Sequence, residues 1–300
     1  MEKKTLQFID LPQEILLKII GYCSTSNILT NVGHVSKTMN VLSRTVGLTV
    51  RLSKNTKSET AAKILQQRSN QIEKLVLAKA SEETIQVVAD YIGSLTNLKA
   101  FIVFDWTIKM PKEFFIQLFH LKKLKKMDIN CLIEDSSLLT IGECKKLKFL
   151  RINAEEYNLS REEFMVFVNL RHIPKVVLSF NIDALKFENL HYPVKVNIRE
   201  DCELTLQFLV ESLTYSLLNA IAAYFPEMWS FQIYSKTHQV ISNEQIWAIR
   251  TLFEKCKRLR LFITSCTFEV EDKAKFIRKF KEWNVDYATD THFMIMIKKY

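Results

Sequence analysis

One short apolar pattern recurs along the chain at nearly constant spacing, and it limits the fold more than any other feature. It reads Ile72-x-x-Leu75-x-Leu77, Leu98-x-x-Phe101-x-Val103, Leu124-x-x-Met127-x-Ile129, Leu147-x-x-Leu150-x-Ile152 and Ile173-x-x-Val176-x-Leu178, with starts 26, 26, 23 and 26 residues apart. The last two apolar residues of each copy lie two apart, the period at which a strand returns to one face. Between copies the rhythm changes to that of a helix: Ile85, Val88, Ala89, Ile92; Phe114, Phe115, Leu118, Phe119; Phe164, Phe167, Val168; Ile246, Ile249, Leu252, Phe253. A unit of one strand and one helix cannot bury its apolar side alone. Such units stack, the strands forming a parallel sheet and the helices covering one side of it.

A period of about 20–29 residues carrying L-x-x-L-x-L resembles the leucine-rich repeat. The resemblance implies an α/β fold, an irregular solenoid over residues 48–300 with its parallel sheet concave and its helices convex. The asparagine or cysteine usual three residues after the last strand leucine is missing, since Ala80, Trp106, Leu132 and Glu155 stand there. The turn after each strand must therefore be satisfied in another way. The register loosens further on, with Pro193-x-x-Val196-x-Ile198, Met228-x-x-Phe231-x-Ile233 and Leu259-x-x-Phe262-x-Thr264 following at 20, 35 and 31 residues. In the last of these, Leu261 and Ile263 compete with Phe262 and Thr264 for the inward side. Leu48-x-Val50-x-Leu52 predicts a first strand. Phe293, Ile295 and Ile297 predict a final one, where Lys298 and Lys299 would blunt an exposed edge. The apolar stretch Leu204 to Phe225, interrupted by Glu211 and Asn219 and closed by Pro226, falls short of a membrane span and reads as a buried helix.

Ahead of the repeats, Asp10 is a capping candidate, Pro12 suits a first helical turn and Glu14 sits near the helix N-terminus. Leu11, Ile15, Ile19 and Leu16, Ile20, Cys23 fall at i, i+4 on two adjoining stripes, wider than one core-facing side requires. Ser24 and Ser26 are the next cap candidates. Ser36 opens a further helix with Val35, Met39, Leu42 and Val46 in 4-3-4 rhythm. Three short helices in about 40 residues form a core too small to stand comfortably alone, which implies a partner. Residues 1–47 resemble the F-box. Leu11, Pro12, Glu14, Ile15, Leu16 and Ile19 match its opening, and Val35, Ser36, Lys37 and Leu42 match its later part. Met39 replaces the usual aromatic, Leu48-Thr49 the usual Leu-Trp, and Cys23 a common leucine. The resemblance implies that Leu11, Pro12, Ile15, Leu16, Ile19, Val32, Val35 and Met39 contact a Skp-family adaptor, and through it a cullin-RING scaffold. The same residues also suit the core of a small helical cap.

No catalytic or cofactor motif is present. Five isolated glycines provide no phosphate loop, the six histidines show no metal spacing, and the six cysteines form no C-x-x-C pair. The expectation is a protein without enzymatic activity, without cofactor or metal, and with reduced, mostly buried thiols. No secretory signal fits the polar start, so the chain is expected in the cytoplasm, with the nucleus as an alternative and no membrane contact. The formal charge is +9, and lysines cluster at 122–126, 145–148, 255–260 and 273–281. Nucleic acid or an acidic target is one reading of that charge, and solvated repeat edges the other. Nucleic acid is disfavoured because the aromatic residues are largely consumed by the core.

Strand alternation assigns the face opposite the helices to a target protein. Ile102, Phe104 and Phe149 would form an apolar patch beside Lys126, Asp128, Arg151, Lys195 and Arg199, with Tyr234 further along. Two functions compete. One is substrate recognition for an SCF-type ubiquitin ligase, and the other is an interaction scaffold of the same fold outside a ligase.

Overall fold

The computed structural model of the 300-residue chain describes residues 8, 11–134, 138–158, 162–163, 166, 170, 172–181, 203–210, 213–235, 242–265, 278, 280–281, 283–288 and 293–298. It begins with helix α1 (Gln13–Tyr22), entered from Pro12, whose carbonyl accepts from the amides of Ile15 and Leu16 at 2.9 and 3.1 Å. Pro12 thus occupies the cap position, and the expected cap Asp10 lies outside the described residues. Next come α2 (Thr25–Asn27), a π turn over Ile28–Val32, α3 (Gly33–Val35) and α4 (Lys37–Ser43). The Ser24 and Ser36 hydroxyls accept from the Asn27 and Met39 amides at 3.2 and 3.1 Å, each satisfying an orphan donor of a helix start. Leu16, Ile20, Ile28, Val32, Met39 and Leu42 are buried in this module.

The repeats follow as β1 (Leu48–Ser53), α5 (Ser58–Arg68), β2 (Ile72–Ala78), α6 (Glu82–Tyr91), β3 (Ala100–Met110), α7 (Lys112–Phe119), β4 (Lys126–Ile133), β5 (Phe149–Asn158), β6 (Lys175–Asn181), β7 (Glu203–Val210), α8 (Tyr215–Tyr224), β8 (Ser230–Ser235), α9 (Asn243–Lys255) and β9 (Leu261–Thr264). The chain closes with β10 (Trp283–Ala288) and β11 (Phe293–Lys298). All eleven strands join one sheet in the order β1 to β9, then β11, then β10. Each of β1 to β8 pairs in parallel with the next, so that β1 to β9 run in one direction. This open nine-stranded parallel sheet with helices packed on one face is compatible with a leucine-rich-repeat-like solenoid.

Alternation decides the inward side of every strand. Leu75, Phe101, Met127, Leu150, Val176, Leu206, Phe231 and Phe262 are buried against the helix layer, and Phe101 meets Phe114 of α7 at 5.2 Å between ring centroids. Neighbouring units are also tied by polar contacts that replace the missing asparagine ladder. The Thr84 hydroxyl donates to the Thr56 carbonyl, Gln245 Nε2 to the Leu213 carbonyl, the Lys112 amide to Glu134, and the Leu138 amide to buried Glu163. The module joins the sheet at its first edge, where the Thr25 hydroxyl donates to the Thr49 carbonyl at 2.7 Å and accepts from the Thr49 amide at 3.2 Å. One side chain thereby satisfies an edge strand that would otherwise offer both groups to another chain.

Several sequence expectations are corrected. Leu204 to Phe225 is not one buried helix but falls in β7 and, further on, α8. Leu204, Leu206, Phe208 and Val210 alternate with less buried Thr205, Gln207 and Leu209, which is a period of two. Residues 193–198 lie outside the described residues, and the strand that pairs with β6 is β7. The unit holding 141–143 has a 3-10 turn (Ile141–Glu143) ahead of β5, in keeping with its short 23-residue spacing. In β9, Phe262 and Thr264 point inward while Leu261 and Ile263 are half-exposed, which resolves the competing registers. The last strand does not form the edge: β11 sits between β9 and β10 and is antiparallel to both, so β10 is the outer strand. Leu48, Val50 and Leu52 form the first strand as expected, while Phe164, Phe167 and Val168 lie outside the described residues.

Candidate functional site

Register brings six of the expected target-face residues onto three adjacent strands. Ile102, Asp128 and Arg151 are level with one another, and so are Lys126 with Phe149 and Phe104 with Asn130 and Asn153. Strand neighbours lie about 4.8 Å apart, so these side chains form one surface. They are not equivalent in it. Phe104 is 49% exposed, but Ile102 is only 5% exposed, between buried Val76 and Asp128, and does not form a free apolar anchor. The apolar part of the surface is therefore Phe104 and the half-buried Phe149.

Charge is organised around Phe149. Lys126 Nζ lies 4.8 Å and Arg151 Cζ 5.6 Å from its ring centroid, placing cations against the electron-rich ring. Arg151 Nη1 also reaches Asp128 Oδ2 at 3.5 Å, and Asn130 Nδ2 lies 3.4 Å from Asp128 Oδ1. Asp128 is 4% exposed, so its charge requires this partner, while Arg151 keeps much of its guanidinium in solvent.

Beyond β5 the surface differs from the expectation. Lys195 and Arg199 lie outside the described residues. Tyr234 is on β8, with β6 and β7 intervening, and its hydroxyl donates to Gln232 Oε1 at 2.8 Å. Asn130 and Asn153, which alternation places side by side, continue into a polar row that the sequence reading does not reach, with Ser179, Gln207 and Gln232 level across β6 to β8. The signal for it was the period-two run of β7, which fixes the register that a 193–198 strand displaces.

The N-terminal module offers a second surface. Of the residues implied in adaptor contact, Leu16, Val32 and Met39 are buried, Leu11 and Ile19 are half-buried, and Pro12, Ile15 and Val35 are exposed. Val41 and Tyr22, which the sequence reading left out, are exposed as well.

The thiols are placed for packing. Cys144 Sγ donates to the Phe119 carbonyl at 3.2 Å and Cys256 Sγ to the Phe225 carbonyl at 3.6 Å, each reaching the end of the preceding unit's helix. Burial pushes both thiols up from the ordinary 9.0 to about 12, with Glu143 and Glu227 adding to the rise, and pushes Cys131 up as well. At pH 8 a group with a pKa near 12 is thiolate in roughly one molecule in 10⁴, so iodoacetamide should leave Cys144 and Cys256 unmodified in the native protein and label both in urea, as read by mass spectrometry. The sign of the linked effect is fixed. A raised folded pKa contributes stability in full below pH 9 and loses it as pH climbs toward 12, so the unfolding midpoint should fall across that alkaline window.

Among the described residues, no group of three or more His, Cys, Asp or Glu is arranged to hold a metal ion, and no helix is long and apolar enough to cross a membrane. No family model and no curated protein matches the chain. A solved leucine-rich-repeat protein of Leptospira interrogans is similar at 11% identity, over 96% of this chain and 100% of that one, with a TM-score of 0.29. At that score the likeness carries no argument, and the architecture rests on the sheet order and strand register alone.

Proposed function

We propose that this chain is a substrate-recognition adaptor of an SCF-type ubiquitin ligase, its N-terminal module an F-box bound by a Skp-family adaptor and its sheet face a receptor for a target protein. In this reading the chain performs no chemistry. It holds a substrate near a transfer enzyme, raising the effective concentration of the substrate's lysines. The observation that carries the reading is where exposed apolar side chains collect. Of ten large exposed hydrophobics among the described residues, five (Phe8, Ile15, Tyr22, Val35 and Val41) lie within residues 8–41, about a seventh of the described residues. Such concentration on a small module marks a protein interface. The F-box motif residues Ile15 and Val35, 41% and 61% exposed, are among them.

The test is co-purification from cells with a tagged Skp-family adaptor. Wild type is expected to bring the adaptor down, and Ile15→Asp combined with Val35→Asp should weaken capture at least about 30-fold, as loss of two interface anchors does. Both side chains are exposed, so the thermal melt should not move. Adaptor capture that survives the double change, or is absent from wild type, defeats the ligase reading and leaves the scaffold outside a ligase.

A further inference from the structure

The lysine clusters that precede successive strands are brought together by the sheet. Parallel strands all start at one rim, and there the Lys125 amide donates to the Lys99 carbonyl at 2.8 Å and the Lys148 amide to the Lys125 carbonyl at 2.7 Å. These bonds hold the three backbones in a ladder, one strand spacing of about 4.8 Å per step. Lys122 and Lys123 precede one rung, Lys145 and Lys146 the next, and Lys126 sits just inside on β4.

Most of this charge has no internal counterpart. Glu73 is taken by Lys99 at 2.6 Å and Glu143 by His120 at 3.1 Å. Lys123 Nζ is used by Asn97 and Lys145 Nζ by the Gly142 carbonyl. Lys122, Lys125, Lys126, Lys146 and Lys148 form no ion pair among the described residues. Neighbouring rungs are about 4.8 Å apart, less than the Debye length of roughly 8 Å at physiological salt, so the potentials of charges carried on adjacent rungs reinforce one another.

We propose that this rim is a docking surface for an acidic polypeptide segment running across the strand starts, its carboxylates answered by the lysines of successive rungs. The proposal deepens the receptor reading and rests on it, since it names the chemistry of what the sheet receives. An extended chain rising about 3.3 Å per residue needs roughly six to eight residues to pass the cluster.

One observation favours a peptide over a nucleic acid. A sequence-tolerant single-strand binder stacks bases on open aromatic rings, whereas Phe149, the aromatic beside the cluster, already has Lys126 and Arg151 against its ring.

Fluorescence anisotropy with the full chain and fluorescein-labelled octaglutamate tests this. Binding is expected at 20 mM NaCl and should weaken as salt rises to 150 mM. Lys125→Glu with Lys148→Glu should weaken binding at 20 mM NaCl at least about 10-fold, because two attractions become repulsions. Lys63→Glu, an equally exposed reversal on α5, should change nothing. Should the first pair lower the melting temperature, Lys122→Glu with Lys146→Glu takes its place. Absence of octaglutamate binding at 20 mM NaCl, or indifference to both reversals, overturns the proposal. So does tighter binding of a twelve-residue oligo-uridine through the same lysines at 150 mM NaCl, which would make the rim a nucleic-acid surface. Adaptor capture measured on the same proteins separates the two readings: intact capture without octaglutamate binding defeats only the rim, and octaglutamate binding without capture defeats only the ligase assignment.

Discussion

Phe114→Ala should lower the free energy of unfolding by about 3–5 kcal/mol, the range for removing a large aromatic from a filled core. Phe114 is fully buried on α7, 5.2 Å from Phe101 of β3 and 5.5 Å from Phe115, whose ring is 5.8 Å from Phe119. Truncation removes apolar burial, leaves a cavity between helix and sheet, and breaks two ring contacts worth about 0.5–1.5 kcal/mol each. Stacked units stabilise only their neighbours, so a loss at this junction is not made up elsewhere. Phe104→Ala on the same strand should cost less than about 1 kcal/mol, since Phe104 is half-exposed on the opposite face. Urea unfolding followed by circular dichroism measures both. A larger loss from Phe104→Ala than from Phe114→Ala would show that the two faces of β3 have been assigned the wrong way round.

That assignment was legible before any coordinates, because a period of two and a period of 3.6 are physically different signals. The strands from Leu48 to Leu178 and the helices over 85–92 and 114–119 fall where the sequence puts them, while Phe164, Phe167 and Val168 lie outside the described residues. The reading failed where composition overrode period. Leu204 to Phe225 reads as one helix on its apolar content, although its first part alternates in burial, Leu204, Leu206, Phe208 and Val210 against Thr205, Gln207 and Leu209. A strand that faces a core on one side and carries threonine, glutamine and leucine on the other looks continuous to an average and periodic to a pattern. The error then displaced the polar row through Ser179, Gln207 and Gln232, because a register shift of one unit moves every later neighbour.

The candidate surface was legible in membership and not in exposure. Alternation places Ile102 and Phe104 on the same face, and the sheet agrees, but it cannot tell that Ile102 lies beneath its neighbours while Phe104 stands clear. The Asp128 to Arg151 juxtaposition follows from the repeat itself, since each stands four residues after the start of its copy, Leu124 and Leu147, and the sheet agrees. What alternation does not give is the burial of Asp128 that makes the 3.5 Å contact with Arg151 matter. The antiparallel closure by β10 and β11 leaves no trace in a repeat period at all, since it ends the repeat.

Removing residues 278–300 should make the chain aggregate. These residues supply β10 and β11, and β11 pairs with all of β9, from Met294 against Thr264 to Ile297 against Leu261. Without them the ninth parallel strand becomes a bare edge whose amides and carbonyls invite another copy of the same strand. The loss of packing acts in the same direction. Phe253 of α9 stacks on Trp283 at 4.1 Å and 21° and meets Phe280 at 5.4 Å, and Trp283, Phe280 and Met296 are all buried. Each large apolar side chain withdrawn from such a site contributes about 1.5–3 kcal/mol, so the end of the solenoid loses both its edge pairing and much of its apolar cover. Repeat arrays need a terminal unit that shields the last core layer. Sedimentation velocity should show the truncated chain sedimenting largely as aggregate where the full chain does not, and bis-ANS fluorescence should rise. Adding Ile263→Lys to the truncated chain should recover soluble protein, because a lysine on an exposed edge opposes strand addition. A truncated chain that behaves like the full one would mean that β9 closes the solenoid unaided and that the antiparallel pair is an appendage to the fold.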